Sequence, residues 1–125
     1  MKLTLLLSLL VSYNSFAIDT CESINEYQLK MDAHASNYKN AETTRTPEGG
    51  VYKYKKVRCK EFCKINESEL LDLRYLPEHP DANKDGYVNF PVINKDQEKA
   101  YISIYAKSLI LVAKACPSVV RTFPG

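Results

Sequence analysis

The stretch NKDQEKAYISIYAKSLILVAKACP, residues 94–117, decides how this chain is expected to fold. Asn94 followed by Gln97 is a helix-start pattern, because the asparagine side chain can accept a hydrogen bond from an amide of the first turn. Apolar residues then recur at helical spacing as far as Cys116, and Pro117 cannot continue the helix. Only a narrow stripe stays polar, so this helix is predicted to be central and buried.

Two more helices are predicted upstream of this stretch. Asp19 and Glu22 form a capping-box pattern, and apolar residues at helical spacing follow them, so an amphipathic helix is expected over residues 20–40. Asn66 and Glu69 form a second start signal before the run LLDLRYL, and a further helix is expected there.

The segment VYKYKKV, residues 51–57, alternates aromatic and basic residues and is predicted to form a short exposed strand. Five basic residues fall between Lys53 and Lys60. Because clustered cations attract an acidic partner, Lys53, Tyr54 and Lys56 are candidate partner-binding residues. The alternative is an edge strand whose lysines discourage aggregation.

Four cysteines, Cys21, Cys59, Cys63 and Cys116, are expected to form disulfides, as an even number in a short exported chain usually does. Cys59 and Cys63 would share one face of a helix and each reach a different partner, preferably Cys21 or Cys116. The connectivity stays open, and a zinc site from Cys59, Cys63 and His79 is the rival interpretation. The expected fold class is mainly α, a small disulfide-stabilised helical domain with at most a short β-hairpin.

Residues 1–17, MKLTLLLSLLVSYNSFA, have the pattern of a secretory signal peptide. One lysine precedes a short apolar run, and the small-x-small pattern Ser15-Phe16-Ala17 follows. The apolar run is too short to span a bilayer as a helix, so no membrane span is expected. Residues 18–125 would then form a single small helical domain in the periplasm or outside the cell.

The composition argues against several classes of function. The formal net charge of +2 is too close to zero for general nucleic-acid binding. Neither His34 nor His79 lies near a glycine-flanked nucleophile, and the chain has no phosphate-binding glycine loop. The chain is therefore predicted not to be an enzyme.

DANKDGYVNFPV, residues 81–92, follows the EF-hand calcium loop except at its last position. The candidate metal ligands at positions one, three, five, seven and nine are Asp81, Asn83, Asp85, Tyr87 and Asn89. Val92 stands where the pattern has a bidentate glutamate, so calcium would bind weakly as a cofactor. The alternative is a polar turn in which side-chain oxygens accept hydrogen bonds from backbone amides.

Motifs in the second half of the chain resemble a known family. They are Cys63, the run at 69–73, Tyr75-Leu76-Pro77-Glu78-His79-Pro80 and Ala113-Lys114-Ala115-Cys116-Pro117. These motifs are similar to the C-terminal half of the Rap/Tai immunity proteins, which are small exported helical proteins of bacteria. The resemblance implies binding and blocking of a peptidoglycan-cleaving toxin delivered by a type VI secretion system. A second, lower-ranked resemblance is to the insect odorant-binding proteins.

The leading hypothesis is an exported binding protein that neutralises a protein partner by occluding its active site. Asp85 and Tyr87 are candidate partner contacts, with Tyr87 as an aromatic anchor presented by the turn. Two alternatives stay open. One is an EF-hand-like calcium-binding module, and the other is a secreted carrier of a small apolar ligand.

Overall fold

Six elements make up the part of the chain that the structure describes. The computed structural model describes the backbone of residues 2–116 and the side chains of residues 21–116. The elements are α1 (Lys2–Lys39), β1 (Lys55–Cys59), β2 (Cys63–Glu67), β3 (Leu71–Tyr75), β4 (Tyr87–Pro91) and α2 (Lys95–Ala115). β1 pairs with β2 and β3 with β4, as two separate antiparallel hairpins. The fold is therefore mixed α/β, and the prediction of a mainly α domain is wrong.

Helix α2 forms where the sequence predicts it. The Asn94 side chain accepts a hydrogen bond from the backbone amide of Gln97 at 3.1 Å, which is the predicted N-cap. The helix ends with Cys116 as its C-cap. Pro117, the predicted terminator, lies outside the described residues.

The apolar core lies between the two helices. It consists of Ile24, Val112 and Cys116, with the partly buried Cys21, Tyr27 and Leu109 packed against them. A disulfide between Cys21 and Cys116, with their Cα atoms 5.7 Å apart, joins α1 to the end of α2. Ile110 and Leu111 of α2 are exposed. The prediction that α2 is buried on nearly all sides is therefore wrong.

Helix α1 covers the helix predicted over residues 20–40 and extends back to Lys2. The helix start predicted at Asp19 therefore does not occur. The signal peptide over residues 1–17 stays a prediction, because the side chains of residues 1–20 lie outside the described part. Within the described residues, neither helix has a stretch long and apolar enough to cross a membrane.

The first hairpin replaces the helix predicted around Cys59 and Cys63. These two cysteines face each other at the end of the β1–β2 pair and form a disulfide, with Cα atoms 4.0 Å apart. The prediction that each bonds to one of the other two cysteines is wrong. The β-branched pair Val57 and Ile65 favours strands here, and three residues are enough for a hairpin connection.

The helix predicted from Asn66 is also absent from the described residues. Residues 71–75, LDLRY, alternate apolar and charged side chains, which is the period of a strand. Asn66 lies within β2, and the Ser68 hydroxyl accepts a hydrogen bond from the Leu70 amide at 3.2 Å in the connection to β3. The strand period therefore prevails over the helix-start signal.

Polar contacts tie the second hairpin to the segment that follows α1. The Thr44 hydroxyl donates to the Asp81 carboxylate at 2.7 Å, and Arg45 forms an ion pair with the same carboxylate. Glu42 pairs with Arg74 of β3 at 3.1 Å. These contacts link the second hairpin to the residues that directly follow α1.

Candidate functional site

A buried carboxylate lies where α1, α2 and the start of β1 meet. Glu98 of α2 is 1% exposed, and its Oε2 atom is 2.6 Å from His34 Nδ1 and 3.3 Å from Asn37 Nδ2, both on α1. Tyr54, next to β1, lies close enough to Glu98 for this carboxylate to help raise its pKa. A buried carboxylate is tolerated only when such partners satisfy it. We call Glu98, His34, Asn37 and Tyr54 the Glu98 network.

Asn37 connects this network to strand β1. The side chain is fully buried; its Oδ1 accepts from the Lys55 amide, and its Nδ2 donates to the Lys55 carbonyl, each at 2.8 Å. Asn37 thus pairs with β1 much as a neighbouring strand would. The Tyr52 hydroxyl donates to Asn37 Oδ1 at 2.9 Å. Asn37 therefore links helix α1 to the start of the first hairpin.

Sequence reasoning missed Glu98 and His34, although one signal was present. Glu98, Tyr101 and Tyr105 fall at helical spacing on one face of α2, so the acid lies in line with side chains that pack inward. The His34 ring stacks on Tyr101 and Tyr105, with ring centroids 4.6 Å and 5.7 Å apart. The network is a packed junction between elements.

The hydroxyl of Tyr54 gives the Glu98 network a measurable pH dependence. Burial and the nearby Glu98 carboxylate raise the pKa of Tyr54 to about 12. The unfolded chain loses this proton near pH 10, so the stability gained is fully present below about pH 10 and is lost as the pH rises towards about 12. We expect the urea midpoint of Tyr54→Phe to fall less steeply over this range than that of the wild type.

The exposed Tyr75 provides the matched control for this titration, since it is 63% exposed. Tyr75→Phe should keep the wild-type decline of the urea midpoint. A decline in Tyr54→Phe as steep as that of the wild type would show that Tyr54 does not carry the effect.

The three candidates in the basic segment have different surroundings. Lys53 donates to the Glu69 carboxylate at 2.7 and 2.9 Å, and this hydrogen bond raises the pKa of Lys53. Tyr54 is half-buried against Glu98. Lys56 is exposed on β1, and it has no ion-pair partner among the described residues. Of the three, Lys56 offers an uncompensated charge to a partner.

The first candidate calcium ligand is engaged by other side chains. The Asp81 carboxylate binds Thr44 and Arg45, and these contacts hold its pKa below the usual value. Asn89 lies in strand β4, close enough to Asp81 to line the same surface cavity of about 300 Å³. An ion at Asp81 would have to displace the Arg45 guanidinium.

The centre of the candidate loop is a hydrogen-bonded turn. Asn83 Oδ1 accepts from the amides of Asp85 and Tyr87 at 2.9 and 3.0 Å, and the Tyr87 carbonyl accepts from the Asn83 amide at 2.8 Å. Gly86 has a φ of 86°, and a Cβ there would lie 2.7 Å from the Tyr75 ring. The geometry matches the polar-turn alternative, and calcium binding stays a prediction from the sequence.

The zinc interpretation does not fit the cysteine pairing. Among the described residues, one group of three metal-binding side chains is found, and it is formed by Glu26, Cys59 and Cys63. The two sulfur atoms are bonded to each other and are not thiolate ligands. His79 accepts a hydrogen bond from the Asp81 amide at 3.0 Å instead.

The outer face of the second hairpin is apolar apart from Asn89. The register pairs Tyr75 with Tyr87 and Leu73 with Asn89, which places Leu71, Leu73, Tyr75 and Tyr87 on one face. These side chains are 38%, 57%, 63% and 39% exposed, respectively. We call these four residues the apolar face. It includes Tyr87, the predicted aromatic anchor, while Asp85 is exposed in the turn before it.

The opposite face of the same hairpin carries charged residues. Arg74 lies over the Phe90 ring, 4.2 Å from its centroid, and binds Asp72 at 2.8 Å. Val88 and Phe90 on this face are buried. In an antiparallel sheet with one solvated face, polar residues normally point outward. Strand β3 departs from this rule, because its apolar Leu71, Leu73 and Tyr75 are exposed as well as Asp72 on the opposite face.

No protein-family model matches this chain, and the search of curated proteins finds no match. The resemblance to the Rap/Tai immunity proteins therefore stays an expectation from the sequence. The four cysteines are all paired, which is compatible with a periplasmic or extracellular protein.

Proposed function

We propose that this chain is an exported binding protein that neutralises a protein partner, and that it docks through the apolar face. One observation carries the proposal. Leu71, Leu73 and Tyr75 of β3 are exposed, and the exposed Tyr87 of β4 lies on the same face of the hairpin. Contiguous exposed apolar side chains on a small domain indicate a surface that another molecule covers.

The two tyrosines are the expected centre of this interface. Their rings lie 5.3 Å apart in an edge-to-face arrangement across β3 and β4. Tyrosine is enriched among residues that dominate binding energy, because it covers a large area with few rotatable bonds. The hairpin register already orders Tyr75 and Tyr87, so association costs less conformational entropy.

A cell-wall-degrading toxin is the partner that we propose, in a periplasmic setting. The support is the motif resemblance of the second half of the chain to the Rap/Tai immunity proteins, together with a disulfide-linked fold suited to an oxidising compartment. Neutralisation by occlusion needs a rigid surface and no catalytic group. This agrees with the prediction that the chain is not an enzyme.

The experiment measures binding and inhibition with the same partner. Wild-type protein is used to isolate its partner from the native cell envelope, and the partner is tested for peptidoglycan hydrolysis with and without added wild-type protein. We expect Tyr75→Ala and Tyr87→Ala each to weaken binding by about 30-fold, as for residues at the centre of an interface. The readouts are the dissociation constant and the restored hydrolysis.

Leu111→Ala is the matched control, since Leu111 is 68% exposed on helix α2, outside the apolar face. It should bind the partner like the wild type. Unchanged affinity in both tyrosine variants would remove the apolar face as the docking surface. A partner that does not hydrolyse peptidoglycan, or one that the wild type does not inhibit, would overturn the proposed neutralising function.

A further inference from the structure

The first hairpin turns a basic face to solvent. Its register pairs Lys56 with Asn66 and Arg58 with Lys64, so these four side chains share one face. All four residues are exposed. The other face carries the Cys59–Cys63 disulfide, and its half-buried Lys55 is bound through its backbone by Asn37 of α1.

Two neighbouring cavities lie along this basic face and share two lining residues. The first, of about 500 Å³, is lined by Arg58, Lys60, Glu61, Phe62, Lys64 and Asn66. The second is about 590 Å³ and shares Arg58 and Asn66 with the first. It adds Lys56 from β1, Leu70 and Val92 beside the second hairpin, and Gln97 from α2. We call these two neighbouring cavities together the basic groove.

The charge of the basic groove is not neutralised within the described residues. Its four cations are Lys56, Arg58, Lys60 and Lys64, and none has a carboxylate within 4.0 Å in the described part of the chain. Three carboxylates also line it, the exposed Glu61 and Glu67 and the buried Glu98. Four positive charges against these three leave a surplus of one, and all four cations are exposed, which favours an anionic occupant.

Apolar side chains lie at the two ends of the groove. Phe62, at the hairpin tip, is 65% exposed, and the ammonium group of Lys64 lies 5.3 Å from its ring centroid. Leu70 and Val92, at the other end, are 70% and 51% exposed. The Cys59–Cys63 disulfide holds the tip in place, which lowers the entropy lost on binding.

We propose that the basic groove binds an extended acidic peptide segment with an apolar residue at each end. β1 has five residues and spans about 17 Å, a length that about five residues of extended chain can follow. Asn66 and Gln97 provide amide groups that can pair with a peptide backbone. A uniformly charged polymer would leave Phe62 and Leu70 uncovered, and a flat lipid surface would not enter a groove.

This inference rests on the proposed function, because the acidic peptide segment needs a protein that carries it. The acidic segment is part of the protein partner that the apolar face contacts. Electrostatic attraction by Lys56, Arg58, Lys60 and Lys64 would speed its encounter and fix its orientation.

The test uses a peptide of defined composition as the probe. A fluorescent peptide with phenylalanine at one end, leucine at the other and alternating glutamate and aspartate between them is titrated with the full protein at low ionic strength. We expect saturable binding in fluorescence polarisation that weakens as salt is added. Arg58→Glu should weaken it by at least about tenfold, since Arg58 lines both cavities.

Lys107→Glu on α2 is the matched control, because it makes the same charge change at an exposed residue outside the groove. It should bind the peptide like the wild type. Equal weakening in both variants, or no saturable binding by the wild type, would overturn the proposal. Stronger binding to vesicles of anionic phospholipid than to the peptide would also overturn it, in favour of a membrane surface.

The apolar-face variants keep the two proposals separate. Tyr75→Ala and Tyr87→Ala should bind the peptide normally, because neither residue lines the groove. If peptide binding fails while these variants still lose the envelope partner, the groove proposal falls and the docking proposal stands. If the peptide binds and the partner is retained by both variants, docking through the apolar face falls instead.

Discussion

Replacing Cys21 and Cys116 together with alanine is expected to produce the largest loss of stability in this protein. The two residues are 95 positions apart, and a cross-link over so long a loop removes much of the entropy of the unfolded chain. The chain-entropy relation gives about 4–5 kcal/mol for this disulfide. Alanine avoids placing a hydroxyl at Cys116, which is 2% exposed. Urea unfolding of the oxidised protein measures the change.

The second disulfide is the control for this prediction. Cys59 and Cys63 are only four positions apart, and the same relation gives about 2 kcal/mol for their double replacement by alanine. We expect a clearly smaller shift of the urea midpoint for this variant. A larger loss from Cys59 and Cys63 than from Cys21 and Cys116 would contradict the assignment of the long disulfide as the main covalent stabiliser.

Replacing Glu98 with alanine is expected to cost about 2–4 kcal/mol, because leaving a buried polar group without its hydrogen-bond partner costs about 1–3 kcal/mol. The substitution takes away the partner of His34 Nδ1 and one of the partners of Asn37 Nδ2, at a site that is 1% exposed. His34 Nδ1 would then lose its hydrogen-bond partner in a place that water hardly reaches, while Asn37 would keep its bonds to Lys55. The free energy of unfolding in urea gives the measurement.

Two further variants separate the network from the helix that carries it. Glu98→Gln keeps the size of the side chain and one carbonyl oxygen, so its loss should be smaller than that of Glu98→Ala. Lys99→Ala changes the exposed neighbour and should stay within about 0.5 kcal/mol of the wild type. A cost below about 1 kcal/mol for Glu98→Ala would show that the network contributes little.

The parts of the fold that depend on local signals could be predicted from the sequence. Asn94 caps α2 as expected, because the cap and the amide it binds lie in one helical turn. The α1 segment over residues 20–39 follows the helical spacing of its apolar residues. The turn at Asn83 was the stated alternative to a calcium loop, and the hydrogen bonds agree with it.

The hairpins were not predictable from the same local signals. The spacing of Cys59 and Cys63 fits one face of a helix and also the two sides of a tight hairpin, and only strand pairing decides between them. The start signal at Asn66 failed because pairing of β2 with β1 stabilises an extended chain there. Tertiary contacts of this kind override weak local preferences.

The candidate surfaces were only partly predictable. Tyr87 and Lys56 lie on the two exposed faces that we propose for binding, as the residue types suggested. The apolar face as a whole could not be predicted from the sequence, because only the register of β3 against β4 decides that Leu73 shares a face with Tyr87. Lys53 was predicted to be a partner-binding residue, but its ammonium group donates a hydrogen bond to the Glu69 carboxylate of the same chain.

The arrangement of the two disulfides, one nested inside the other, also bears on the order in which the chain oxidises. Cys59 and Cys63 meet by closing a very short loop, so they are expected to react long before Cys21 encounters Cys116. Once the inner pair has formed, the remaining thiols have only each other to join. Oxidative maturation should therefore reach the native pairing without a shuffling enzyme.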